Sequence, residues 1–555
     1  MKIGMIVSYY TGVFDSLKRQ FGASIDALRG EHELIYCPTE YLVSSKARQR
    51  GLLKEMILSS DVLLGNFDGA VLQARRDAGK QIPYVCYLCG TMPRGAINLM
   101  DNHRLLDSTD ILVGNCVGDI ELIHKFFRNA QARLLPFVYN DSDFYPLDDS
   151  AKQAARAKMG FDSKDKILLY SGRVTLEKNL HTTLRIFSLI QRLIPNARLI
   201  VAGRCEERPF MEFGSCSLGI RSMMERAIAK LGIDQDSVRL IGHKTAAELL
   251  ELYNIADLVV NMTLHHDENF GLAQVEAMAC GTPVIGSNWG GLKDTIVDGE
   301  TGYRISTLVT GSGVKLNWWE AVNKIVSLLE SGPELTELRR KCRESVSQRY
   351  SLSQHRRDLE AILADCHGKS EIASEPLQAS EFAQQFWNSC APILGVEGEV
   401  SYKYGVSPDH MYRELIGPYA GTLHGKAAGG RRLKPDQVLC LTAPLLQYNE
   451  RSIEINDPIF PLNVTIPAEI CEAVNAVIGA MREEPAITVK RLNGNYLAGL
   501  PNVSRALEWM AETGLILKND SQNGDLSPSS IGHGMSLPLF SIQRINSSTD
   551  IMILP

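Results

Sequence analysis

A chain of 555 residues, 45% hydrophobic and 22% charged, is too long for a single core and is neither disordered nor membranous in composition. Length alone suggests about three to four domains. A net charge of −6 excludes global attraction to nucleic acid or an anionic membrane and leaves only local basic patches open.

The twelve cysteines are scattered, and Cys86, Cys280 and Cys440 sit inside apolar runs, as reduced core thiols of a cytoplasmic protein would. Cys86-Tyr-Leu-Cys89 lacks the second pair that a zinc site needs. The opening residues read as a first strand, Lys2–Val7, rather than a secretion signal. A glycine loop at Gly12 follows. Asp61–Gly65, Ile82–Tyr87 and Ile111–Gly114 read as further strands, and Asp119–Phe127 as a helix. That helix, flanked by Lys125 and Arg128, reads either as a core helix or as a peripheral membrane contact. Strands alternating with helices imply a parallel sheet covered on both faces. No apolar run is long enough for a membrane span.

The proline-rich stretch 134–146 reads as a connection to a second alternating series. Its strands are Lys166–Tyr170, Ala197–Ala202, Ser237–Ile241 and Asp257–Asn261. The helix between the first two is apolar at Leu180, Leu184, Phe187, Ile190 and Ile194, the helical period. Ligands of open α/β sheets bind outside the carboxyl ends of the strands. Arg173, Lys178, Gly203, His243 and Glu268 all follow strand ends, and one crevice is expected to gather them.

The most informative tract is Glu268-Asn269-Phe270-Gly271-Leu272-Ala-Gln-Val-Glu276. It reads as a loop and then a helix opening near Gly271, where glycine allows close approach to the backbone. The free N–H groups of the first turn and the helix dipole favour an anion such as a diphosphate. Glu276, further along the helix, suits two neighbouring ribose hydroxyls, and Glu268 suits a sugar. Together with Cys280-Gly-Thr-Pro283 and Gly290-Gly291, this tract resembles the donor site of family-four retaining glycosyltransferases. The resemblance covers roughly residues 1–365.

What the resemblance implies is a GT-B fold, two facing Rossmann-like α/β domains, with a C-terminal α+β extension outside it. The expected domains are 1–140 on the acceptor side, braced by a last helix at Glu344–Ala364, and 141–343 on the donor side. A linker at 366–380 and an extension at 381–555 follow. The implied substrate is a nucleoside-diphosphate sugar, UDP-linked, with no cofactor and no metal. Arg173 and Lys178 match the basic pair on the diphosphate, where an arginine can fork two oxygens. His243 and Gly203 fall at the nucleotide, and Gly12 at the diphosphate from the opposite domain. The implied activity is hexosyl transfer with retention.

Two departures from the family stand out. No histidine follows Ile82–Tyr87, where the chain reads Leu88-Cys89-Gly90-Thr91, and Glu206–Leu218 is an insert. The acceptor is open. Around 465–520, three helices and a strand resemble a winged helix, yet the third helix offers only Arg505 beside Glu508 and Glu512. No nucleic acid is therefore expected, and the extension reads as a protein- or acceptor-binding module. A chain ending near Gly368 would then fold, bind nucleotide and hydrolyse donor slowly but lose transfer to the natural acceptor; the alternative is an extension that braces the core, which would leave the short chain insoluble. The competing readings are a GT-B epimerase or phosphorylase, and a non-catalytic scaffold acting through its C-terminal module.

Overall fold

A computed structural model of the protein describes residues 1–7, 15–38, 47–88, 92–175, 178–205, 219–265, 268–310, 313–366, 375–389, 415, 417–420, 435, 438–441, 445–448, 451–455, 462–484, 486–513, 515–519 and 541–544. Gly12, Cys89, His266 and the insert 206–218 lie outside them. By compactness the chain forms two units. The first comprises Met1–Gly172, His243–Arg304 and Ser331–Gly421, and the second Arg173–Gly242, Ile305–Glu330 and Thr422–Pro555.

The first sheet belongs to the first unit. Its strands are β1 (Lys2–Val7), β2 (Glu33–Pro38), β3 (Val62–Asn66), β4 (Tyr84–Tyr87), β5 (Ile111–Gly114) and β6 (Gln131–Leu134), in the order β2-β1-β3-β4-β5-β6. Every pairing is parallel. Between the strands run α1 (Asp15–Leu28), α2 (Ala47–Ser59), α3 (Gly69–Ala78), α4 (Met92–Asn102) and α5 (Val117–Phe126). β3, β4 and β5 are buried throughout, as strands covered on both faces must be.

The second sheet is built from β7 (Lys166–Ser171), β8 (Ala197–Ala202), β9 (Val238–Gly242), β10 (Leu258–Asn261), β11 (Val284–Ser287) and β12 (Gly302–Ile305). Its order is β12-β11-β10-β7-β8-β9, and β7 with β10, β10 with β11 and β8 with β9 pair in parallel. Its helices are α6 (Asp149–Lys158), α7 (Leu180–Leu193), α8 (Ile220–Lys230), α9 (Ala246–Ile255), α10 (Leu272–Ala279) and the short α11 (Leu292–Thr295). The α/β fold with two Rossmann-like parallel sheets is as the sequence implied. A hairpin of β13 (Thr307–Thr310) and β14 (Gly313–Leu316) leads to α12 (Trp318–Glu330).

The expected last helix, Glu344–Ala364, is two helices: α13 (Gly332–Arg349) and α14 (Leu352–Ala364). The break falls where the Ser351 hydroxyl accepts the Gln354 N–H at 3.3 Å and caps a fresh helix. α14 returns to the first sheet, where Leu359, Ile362 and Leu363 join the core formed by Ile3, Met5, Phe21 and Val85. His355 on α14 is buried, with Nε2 3.1 Å from Ser24 Oγ, and that hydroxyl lies 3.1 Å from the Tyr87 hydroxyl.

Burial lowers the His355 pKa to about 4. A depressed folded pKa means stability that is present above the unfolded value near 6.5 and lost as pH falls toward 4. Between pH 7 and pH 4 this group is expected to cost about 3 kcal/mol. His355→Gln keeps a partner for Ser24 and should flatten that part of the pH dependence. Urea midpoints of both proteins across this range check it.

Residues 375–389 lie against the first unit rather than running free of it. Ser108 N–H donates to Glu375 O at 2.8 Å, Leu377 N–H to Leu106 O at 3.1 Å, and Ser380 N–H to Phe126 O at 2.8 Å. α15 (Glu381–Ser389) sets Phe382 and Phe386 edge-on to Phe126, with centroids 5.3 and 5.2 Å away, and Lys125 Nζ lies 4.5 Å from the Phe382 ring centroid. The apolar side of α5 thus faces the chain's own core and favours the core-helix reading over membrane contact.

In the second unit, β15 (Val438–Leu441) is the central strand of a three-stranded sheet, between β19 (Ala486–Thr488) and β20 (Ile516–Asn519). A four-stranded sheet follows the order β18-β17-β16-β21, from β16 (Leu445–Tyr448), β17 (Ser452–Ile455), β18 (Leu462–Thr465) and β21 (Ser541–Arg544). Beside these stand α16 (Cys471–Glu483), β19 (Ala486–Thr488), α17 (Val489–Asn495), α18 (Val503–Glu512) and β20 (Ile516–Asn519). The three helices and a following strand are therefore in place, with a central strand that precedes them in sequence. Arg505, the one basic residue of α18, donates to Glu469 Oε1 at 2.9 Å.

Candidate active site

Glu276 lies on α10, buried, with both carboxylate oxygens engaged. Tyr253 donates its hydroxyl to Oε2 at 3.2 Å, and Arg19 of α1 forms an ion pair with Oε1. Tyr253 is itself held by Ser171 Oγ at 2.9 Å and by the Phe144 ring at 5.8 Å. Burial raises the Glu276 pKa, and the Arg19 guanidinium opposes that shift. Arg19 thus favours the ionised carboxylate, against the desolvation that disfavours it. Sequence reasoning missed Arg19 because 257 residues separate it from Glu276 and no local pattern marks it.

Glu268 precedes α10 and is 7% exposed. Its backbone is fixed at both ends: its N–H donates to His265 O at 3.1 Å, and its carbonyl accepts the Gly291 N–H at 2.6 Å. Gly271 opens α10 at φ +83°, and a Cβ there would run into the Leu292 side chain, so the turn demands glycine. A Cβ on Gly291 would collide with the Phe270 backbone. The Phe270 ring is buried between Phe137, 5.4 Å away, and Tyr350, 5.2 Å away, so only its backbone is left for a ligand. Asn269 Nδ2 donates to Asn115 Oδ1 at 3.0 Å, and Leu272 is half-buried in the first turn. His243, in the same unit, is exposed just beyond Gly242, whose φ is +73°.

Arg173, Lys178 and Gly203 belong to the second unit. The loop after β7 and the loop after β8 are joined there: Val174 N–H donates to Arg204 O at 2.9 Å, and Val174 bridges Cys205. Gly203 N–H donates to Gly242 O at 2.8 Å. Arg173 and Lys178 are both half-buried, and Lys178 directly precedes Asn179, the left-handed cap of α7 at φ +59°. The structure therefore gathers Glu268, Gly271 and Glu276 in one unit and the basic loop with Gly203 in the other. His103, the nearest histidine to the altered Leu88–Thr91 stretch, is tied to Met100 O at 2.6 Å.

Two parallel Rossmann-like sheets of this kind match the GT-B fold of solved structures. The solved structure of HepE (Alr3699) from Anabaena in complex with UDP has a TM-score of 0.53 at 15% identity, covering 66% of this chain and all of that one. A glycosyltransferase from Rickettsia africae has a TM-score of 0.53 at 16% identity, covering 66% and 99%.

Residues 151–349 match the family model of glycosyl transferases group 1. Among curated proteins, the D-inositol 3-phosphate glycosyltransferase of Thermobispora bispora is 32% identical over 216 residues, 38% of this chain and 48% of that protein. The protein of the same name from Segniliparus rotundus is 28% identical over 218 residues, 39% and 46%. The chain spans about half the length of the curated relatives it matches. Among the described residues, no helix is long and apolar enough to cross a membrane.

Proposed function

We propose that the chain is a retaining, metal-independent glycosyltransferase of family-four type, moving a hexose from a UDP-linked sugar to an acceptor. The single observation that carries this reading is the pair of buried carboxylates flanking the glycine-opened N-terminus of α10, Glu268 before it and Glu276 along it. Glu276 accepts the ribose hydroxyls, with Tyr253 orienting the carboxylate and Arg19 giving way to the sugar. The first-turn amides of α10 meet the diphosphate. Arg173 and Lys178 meet the charge that grows on it as the glycosidic bond breaks. Glu268 accepts a hydrogen bond from a donor hydroxyl and stabilises positive charge at the anomeric carbon. The group 1 match over 151–349 and the UDP in HepE support the donor class.

Glu276→Ala is expected to weaken UDP binding about tenfold or more, because a hydrogen bond to a charged group contributes roughly 1.5–3 kcal/mol. Titration calorimetry with UDP measures this. Unchanged affinity would remove the ribose role of Glu276.

A further inference from the structure

The extension beyond Gly368 sends one short segment back to the loop behind Glu268. Tyr419, fully buried, donates its hydroxyl to Asp119 Oδ1 on α5 at 2.7 Å. Its carbonyl accepts the Gly290 N–H at 2.7 Å. Lys293 Nζ donates to the neighbouring Pro418 carbonyl, and Ala420 pairs with Trp289 in an antiparallel bridge. Gly118 is pressed against the same segment, since a Cβ there would lie 3.0 Å from Pro418 O. Residues 417–420 thus tie α5 to the turn 289–293.

That turn holds the Glu268 backbone. Trp289 Nε1 donates to His265 O at 2.8 Å, and Gly291 N–H donates to Glu268 O at 2.6 Å. The two bonds hold the carbonyls of His265 and Glu268 against the turn. A Cβ on Gly290 would strike the Glu268 carbonyl, so the turn and the loop leave no slack between them. A small shift of 289–291 must therefore move Glu268.

We propose that Tyr419 is a positioning residue for Glu268, acting through Gly290 and Gly291 and anchored on Asp119. The segment lies beyond residues 151–349, and this use of it rests on the donor-site reading of Glu268 given above. A group that must sit within a fraction of an ångström of a developing charge depends on packing and hydrogen bonds behind it. The strap supplies them from the part of the chain that the resemblance does not cover.

Tyr419→Phe in the full chain removes the hydroxyl and keeps the ring, so it separates positioning from folding. Hydrogen–deuterium exchange should rise at least about fivefold in peptides containing Gly290–Gly291 and Glu268, and stay level in α7. With the UDP-sugar that the wild type hydrolyses fastest, kcat should fall about tenfold while KM and UDP affinity stay within twofold. Unchanged exchange at 290–291 overturns the proposal. So does unchanged kcat with a lowered thermal midpoint, the mark of a merely structural tyrosine. A rise in turnover would make the segment a plug and overturn it as well. If the wild type hydrolyses no donor, the proposed function fails, and the exchange measurement still decides the role of Tyr419.

Discussion

Arg173→Ala and Lys178→Ala are each expected to lower donor turnover by about 10²–10³-fold while barely moving the thermal midpoint. Removing one preorganised group that meets transition-state charge typically costs that much. Binding of the ground-state donor should weaken less, because the charge they oppose grows as the bond breaks. Folding should be spared because the loop is fixed by its backbone, through Val174 to Arg204 and Cys205. Turnover at saturating donor, read beside the thermal midpoint, checks both halves. If turnover survives both changes, the diphosphate clamp lies elsewhere.

A chain ending at Gly368 is expected to aggregate or to melt far below the full protein. The sequence alone suggests the opposite, since 366–380 is small and polar and every donor-site candidate precedes Gly291. The packing of 375–389 and 417–420 against the first unit argues for the opposite outcome. Leu377, Phe386 and Tyr419 are buried, and truncation removes all three and uncovers Phe126. Each fully buried side chain contributes about 1.5–3 kcal/mol. Their combined loss of roughly 4.5–9 kcal/mol rivals the whole stability of a typical domain, about 5–15 kcal/mol. Soluble yield and thermal melting of the two chains decide it. A short chain that stays soluble with an unchanged midpoint would show that 375–420 adds nothing to the fold.

Much of the α/β core was legible because local signals and tertiary demands agree there. Lys2–Val7, Ile111–Gly114 and Ala197–Ala202 have the bounds read from their apolar runs. α7 follows the helical period of Leu180, Leu184, Phe187 and Ile190, all buried. β2, by contrast, is not among the strands expected from sequence, although Leu34-Ile-Tyr-Cys37 is an apolar run bounded by Glu31-His-Glu33 and Pro38. The split between α13 and α14 was also missed, although Ser351-Leu-Ser-Gln354 is a helix-start pattern that could have shown it. Long-range partners are a different case. Arg19 beside Glu276 and Tyr419 beside Asp119 are set by the tertiary fold, and no periodicity or motif in the chain marks either residue.

If the chain activates a UDP-linked sugar with its own side chains, it releases UDP with neither acceptor nor metal present. The measurement takes a panel of nucleoside-diphosphate sugars, no acceptor and excess EDTA, with the wild type and Glu268→Gln compared. The wild type is expected to release UDP slowly from one UDP-sugar, undiminished by the chelator, and Glu268→Gln to release none. Release that needs added magnesium or manganese, or that persists in Glu268→Gln, would contradict it.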